Sequence, residues 1–284
     1  MTTGIAAIDH LMISVEDSQQ AGDAFERLGF TATPRSLMPG LSNRLVCFPA
    51  QQPDACNYIE LMALEDADRA PQPIPQLLPP TGRPVSMVTV APDIDATYRA
   101  LREHGLRMPE PIHLERDWDL PGGEVITPRF AVLIPDIGQS PFFWNVCQHK
   151  TPEHYVRPDF VDHPNGATGL KAIIAVADDP AEVAAHYRTV WGAEIDGSDP
   201  VRVTIGAVDL RIYTARELEA AYPDLASFEG GNRLVGFAIA CRDLERTTTF
   251  LADRGFSPRR GQNGAYLDPA SAQGNLLVFE PADA

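Results

Sequence analysis

The side chains able to do chemistry are dispersed along the chain. It has seven histidines, four cysteines and 39 Asp plus Glu. Cys47, Cys56, Cys147 and Cys241 form no CxxC pair. That spacing predicts reduced, mostly buried thiols, and neither a disulfide framework nor a zinc site. His10 and Glu60 stand in the apolar runs HLMISV and YIELMAL. A carboxylate can take a proton, and an imidazole can orient or protonate a bound molecule. Apolar surroundings would raise the pKa of Glu60 toward neutrality, as such a base requires. Asn43 and Arg44 open the run NRLVCF, and the planar fork of Arg44 suits a substrate carboxylate. The plainer reading is a surface Arg on an edge strand. Arg129, at the start of RFAVLIP, has the same two readings. In PFFWNVCQH, strand alternation puts Phe143 and Asn145 on one face and Phe142 and Trp144 on the other. His149 continues the Asn145 face if the strand runs on. An aromatic wall suits a flat or apolar ligand, though core packing explains at least two of these rings. His113 lies in the loop EPIHLERDWDLPGGE and could close as a lid. His104 reads as a helix C-terminal residue, His186 as helix surface, and His163 as part of the turn HPNG.

Four similar segments must position these groups. Each reads as a short apolar strand, an Asp, an amphipathic helix, then Gly and an apolar residue. The Asp-to-Gly offset is 12 in three of them (29 − 17, 105 − 93, 255 − 243) and 13 in the third (192 − 179). Asp17, Asp93, Asp179 and Asp243 can each cap a first helical turn. Gly29, Gly105, Gly192 and Gly255 can supply the left-handed residue that ends each helix. Further strands follow every Gly, which gives a βαββ or βαβββ unit repeated four times. Pro-rich and polar seams at 70–84 and 150–169 separate the units, the second being the main boundary.

Composition narrows the function classes. With 284 residues and 44% apolar content, the chain can bury a sizeable core and suggests two domains. The net charge of −16 argues against nucleic acid, whose phosphates need basic patches. Asp9 and His10 interrupt the first apolar stretch and no cationic segment precedes it, so neither a signal peptide nor a membrane helix is expected. A cytoplasmic protein is the expectation.

This repeat resembles the vicinal oxygen chelate superfamily, the glyoxalase, bleomycin-resistance and extradiol-dioxygenase group. The segments IDHLMISVED…LGF, NRLVCF, YIEL and PFFWNVCQHKTPEHYVRPDF look closest to a glyoxalase-like domain. The resemblance implies an α+β fold: four βαββ(β) modules forming two curved-sheet domains, 1–150 and 165–284. It also implies a cup in each domain, often holding a divalent metal on the first and last strands of its modules. His10 and Glu60 match two such ligand positions, and they suit Fe, Mn, Ni, Co or Zn. The matching module-two positions carry Ser86 and Asn145, poor ligands for those metals, which argues against glyoxalase I activity. In the second half the counterparts are Ala172 (or Lys171), Arg211 or Ile212, Gly236 and Val278. With no two-His, one-carboxylate set there, extradiol chemistry is set aside and that half is expected to be structural. The implied function is a glyoxalase-like enzyme acting on a small oxygenated organic molecule in the N-terminal cup. Expected site residues are His10, Asn43, Arg44, Glu60, Ser86, Arg129, Phe143, Asn145 and His149. The alternative is a bleomycin-resistance-type protein that sequesters a ligand without chemistry, for which the acidity would favour a cation. Four modules can form internally the pairs that shorter relatives make by dimerising. The expected partner is therefore a small molecule, with a monomer or a homodimer through sheet edges.

Overall fold

A computed structural model describes residues 3–52, 54–223, 225 and 231–282. The first module is β1 (Ala7–Val15), α1 (Ser18–Arg27), β2 (Ser36–Met38), β3 (Leu41–Cys47) and β4 (Tyr58–Leu64). After a short α2 (Ile74–Leu77) come β5 (Pro84–Val90), α3 (Ile94–Glu103), β6 (Ile112–Glu115), β7 (Trp118–Asp119), β8 (Val125–Ile126), β9 (Arg129–Leu133) and β10 (Trp144–His149). A linker carrying α4 (Pro158–Val161) leads to β11 (Ala167–Val176), α5 (Pro180–Trp191), β12 (Glu194–Asp196), β13 (Val201–Ile205), β14 (Val208–Tyr213) and α6 (Ala215–Ala221). The last module is β15 (Arg233–Cys241), α7 (Leu244–Asp253), β16 (Arg259–Arg260), β17 (Ala265–Leu267) and β18 (Leu276–Pro281).

The four helices expected from the repeat form for the expected reason. Asp17, Asp93, Asp179 and Asp243 each accept from a backbone N–H of the first turn. Gly29, Gly105, Gly192 and Gly255 all have φ between 72° and 87°, a region where other residues are strained.

Two eight-stranded sheets result, ordered β2-β3-β4-β1-β5-β10-β9-β6 and β12-β13-β14-β11-β15-β18-β17-β16. They correspond strand for strand, and each is drawn from one half of the chain. In each, an antiparallel central pair is flanked by a parallel partner on either side. One face of every inner strand packs under the helices; the other is left for the cup. The helix-side faces of both sheets share one apolar core. Phe25 stacks on Phe237, Phe30 on Phe279, and Trp144 meets Trp191 edge to face. Each such ring contributes roughly 1.5–3 kcal/mol by burial. The linker is tied to the first half. Thr31 N–H donates to His163 Nδ1 at 3.0 Å, and His163 Nε2 meets the Cys47 carbonyl at 2.9 Å. All four cysteines are buried free thiols. Among the described residues, no helix is long and apolar enough to cross a membrane.

Candidate functional site

Strand alternation builds the site. On β1, Leu11 and Ile13 enter the core while His10 and Met12 face a cavity; on β4, Ile59 and Leu61 enter the core while Tyr58, Glu60 and Met62 face it. β5 contributes Ser86 and Val88, and β10 contributes Asn145, Cys147 and His149. Phe143 faces the cavity while Phe142 and Trp144 enter the core, as alternation predicts. The cavity measures about 420 Å³, within the range of small-molecule sites. Its upper wall is apolar, with Leu37, Leu41, Leu77, Ile112, Phe130 and Val132.

A bulge sets the polar floor. The β1–β5 register shifts between Ile8 and His10, leaving Asp9 as the extra residue. Asp9 is fully buried and receives three N–H groups: His10 Nδ1 at 2.6 Å, His149 Nε2 at 2.9 Å and the Cys56 backbone at 2.6 Å. Burial opposes its ionisation, but His149 and His10 outweigh that and hold its pKa at about 2. Burial likewise works against a charged ring at His149, yet its neighbours, the Asp9 carboxylate among them, push its pKa well above the usual 6.5. With Nδ1 held by Asp9, His10 turns Nε2 toward Glu60 Oε2, 3.6 Å away. The His10 ring also stacks on Tyr58 at 3.9 Å, which fixes its plane. Asn43, from β3, donates Nδ2–H to Glu60 Oε1 at 2.6 Å.

The structure brings together most of the expected residues. His10, Glu60, Ser86, Phe143, Asn145 and His149 line one cavity, and Asn43 stands behind Glu60. Ser86 donates to Asn145 Oδ1 at 2.6 Å, so these two positions satisfy each other. Other expectations are corrected. Arg44 lies outside the cup: its guanidinium turns under α1 to pair with Asp23 and Glu26, in space left by Gly22. β3 has two buried faces, and Asn43 takes the one toward Glu60. Arg129 is exposed at the start of β9 and does not line the cavity. His113 is exposed beside Lys150, while its neighbours Ile112 and Leu114 face the cavity. His186 is half-buried against Ser140 instead of lying on open helix surface. The pKa of Glu60 moves down, not up. Burial alone would raise it, but His10, the Asn43 amide and the Arg116 guanidinium hold it below the usual 4.5. Sequence reasoning missed Asp9 and Arg116 as site residues. Asp9 carried one signal, a charge inside an otherwise apolar strand; Arg116 carried none in a polar loop.

Two donor sets bear on a metal. His10 Nε2 and Glu60 Oε2 have a separation that one ion about 2.0–2.2 Å from each would span. The Asp9 bond to Nδ1 is the support that a metal-binding imidazole commonly has. Ser86 and Asn145 add only neutral oxygens. Asp9, Cys56 and His149 also offer ligand atoms within 4.8 Å of one another. There, however, the Asp9 oxygens are already engaged, and burial pushes the Cys56 thiol up to about 11. His10 and Glu60 are the set open to the cavity.

The fold is shared with known structures. A hypothetical protein from Staphylococcus aureus superposes with a TM-score of 0.65 at 12% identity, covering 96% of this chain and 98% of that one. A 4-hydroxymandelate synthase variant from Streptomyces coelicolor gives 0.53 at 13% identity, covering 91% and 78%. A xylose isomerase-like TIM barrel/4-hydroxyphenylpyruvate dioxygenase fusion protein gives 0.52 at 14% identity, and only 40% of it is covered by 91% of this chain. At such identities the likeness is one of fold. No curated protein matches the sequence. The family model of the glyoxalase-like domain matches residues 8–191, more than half of the chain. With its paired βαβββ modules and cupped sheets, the chain therefore belongs to the glyoxalase-like domain family of the vicinal oxygen chelate superfamily.

Proposed function

We propose that this protein is a glyoxalase-like enzyme acting on a small oxygenated organic substrate in the N-terminal cup. One observation carries the reading: His10, aligned by buried Asp9, faces an ionised Glu60 across the floor of an otherwise apolar cavity. Glu60 is deprotonated near neutral pH and can accept a proton from a substrate carbon or hydroxyl. Asp9 fixes which His10 nitrogen carries the proton, so the Nε2 edge presented to the cup is defined. Ser86 and Asn145 would orient a substrate oxygen from the opposite side of the floor. The apolar wall excludes water from the reacting atoms. His10 and Glu60 would hold one divalent ion, Fe, Mn, Ni, Co or Zn, which when bound supplies Lewis-acid polarisation of a substrate oxygen. A small-molecule partner is the only kind this cup requires, and the buried free thiols favour a reducing, cytoplasmic setting.

Two measurements test the reading. Mass spectrometry of untagged protein, prepared without chelator, gives metal content; near-stoichiometric metal lost in His10→Ala supports the ligand pair. Conversion of a panel of 2-oxoaldehydes, 2-oxoacids and hydroxy ketones is then followed by product analysis. Glu60→Gln is expected to lower turnover by roughly 10²–10⁴. Equal turnover by this variant, or tight binding with no product from any compound, would overturn the enzymatic reading and leave sequestration.

A further inference from the structure

The cup contains a cation whose part in the proposed chemistry is limited to lowering the pKa of Glu60. Arg116, in the turn between β6 and β7, is half-buried and lines the cavity. Its guanidinium lies 5.5 Å from the Trp118 ring centre and 5.8 Å from that of Phe130. Nη1 reaches Met38 Sδ at 3.0 Å and, weakly, Asn43 Oδ1 at 3.5 Å, while Nε is buried without a partner. Among the described residues no carboxylate forms an ion pair with it. Glu115 and Asp117 touch the same cavity but are exposed and unpaired with it. The two fully buried arginines are both neutralised: Arg44 by Asp23 and Glu26, Arg211 by Glu280. In a chain of net charge −16, a half-buried guanidinium with no direct ion-pair partner is out of keeping with its surroundings.

The position explains what it is for. Asn43 bridges the two charges, donating to Glu60 and accepting from Arg116. An anion at Arg116 would thus sit beside the reacting floor without displacing Glu60. Apart from Glu115 and Asp117 beside Arg116, the upper wall, from Leu37 and Leu41 through Leu77 to Phe130 and Val132, offers hydrocarbon contact. We infer that Arg116 is the carboxylate receptor of the cup, and that its ligands are amphipathic organic acids with an extended apolar body. The fork of a guanidinium matches the two oxygens of a carboxylate, and the Trp118 and Phe130 rings lie close enough for cation–π attraction that favours its place in the cup. This names the substrate class of the site proposed above and rests on that cup being the binding site. It excludes the cationic ligand that overall acidity alone would favour.

Calorimetric titration of the full chain with a head-group series tests the inference: decanoate, decanol, decyltrimethylammonium and acetate. Decanoate is expected to bind roughly tenfold or more tightly than decanol, with acetate and the cation undetected. Arg116→Gln is expected to remove that preference, leaving decanol binding unchanged, and Arg116→Lys to restore part of it. Glu60→Gln is expected to retain decanoate binding, so a failure of the catalytic reading is distinguishable from a failure of this one. Equal binding of decanoate and decanol by the wild-type protein, or preference for the cation, would overturn the inference. Those wild-type comparisons stand even if an Arg116 variant does not fold.

Discussion

At the register positions held in the first sheet by His10, Glu60, Ser86 and Asn145, the second sheet carries Ala172, Arg211, Gly236 and Val278. Even the bulge recurs: the β11–β15 register shifts between Leu170 and Ala172, making Lys171 the counterpart of Asp9. The charges are exchanged, however. Lys171 and Arg211 replace two carboxylates, and both lie against Glu280, the counterpart of Cys147. The segment following each module differs as well. After β4, the short α2 buries no residue, and its flank lines an open cavity. After β14, the longer α6, held by a Thr214–Glu217 capping box, packs Leu218, Ala221 and Tyr222 against Tyr213, Tyr266 and Val278. The same backbone therefore makes an open cup or a plug according to which side chains point inward. A cup persists only where small or polar groups on the floor are not covered from above.

The largest expected effect breaks the plug. Glu280→Ala would leave Arg211 buried and unpaired and should cost about 3–5 kcal/mol in urea unfolding, while ligand binding in the first cup is retained. A loss under about 1 kcal/mol would show that the second cup is not locked by this pair. The seam between the halves gives a pH test. Burial depresses the His163 pKa from 6.5 to about 4. The unfolded chain therefore takes up a proton that the folded chain refuses. Stability is fully present above pH 6.5 and falls as pH drops from 6.5 toward 4, by about 3 kcal/mol in all. His163→Gln should flatten that part of the stability–pH curve; an unchanged slope would assign it to other groups. Leu218→Ala should cost about 2–4 kcal/mol by opening a void beneath α6. The contrasting Ile74→Ala, on partly exposed α2, should cost under about 1 kcal/mol, and similar losses at both sites would contradict the distinction between an open cup and a plugged one. In the first cup, Asp9→Asn is expected to lower turnover 10- to 100-fold by releasing His10 Nδ1, with a smaller change in KM for an accepted substrate. A change confined to KM would make Asp9 a binding group only.

Local rules made much of this legible. Asp caps and glycines at fixed offsets located the four module helices α1, α3, α5 and α7, because a capping acceptor and a left-handed glycine act on the adjoining turn alone. Period-2 alternation paired Phe143 with Asn145 and Phe142 with Trp144; the structure turns the first pair to the cup and the second into the core. It could not settle Arg44, because β3 is buried on both faces and only the neighbours reveal which face holds acids. The pKa of Glu60 was misjudged for a related reason. Burial was visible from the apolar run, whereas His10, Asn43 and Arg116, which together outweigh it, come from other strands and loops.

What the sequence determined by itself was the repeat, its capped helices and the alternation of its strand faces, since all of these depend on neighbours within a few residues; His10 and Glu60 were singled out by the family resemblance. The tertiary structure decided the rest: that a bulge turns Asp9 onto both His10 and His149, that Arg116 enters the cup without a carboxylate, and that α6 closes one cup while α2 leaves the other open. Those outcomes depend on electrostatic and packing partners brought together across the chain, which no local spacing encodes.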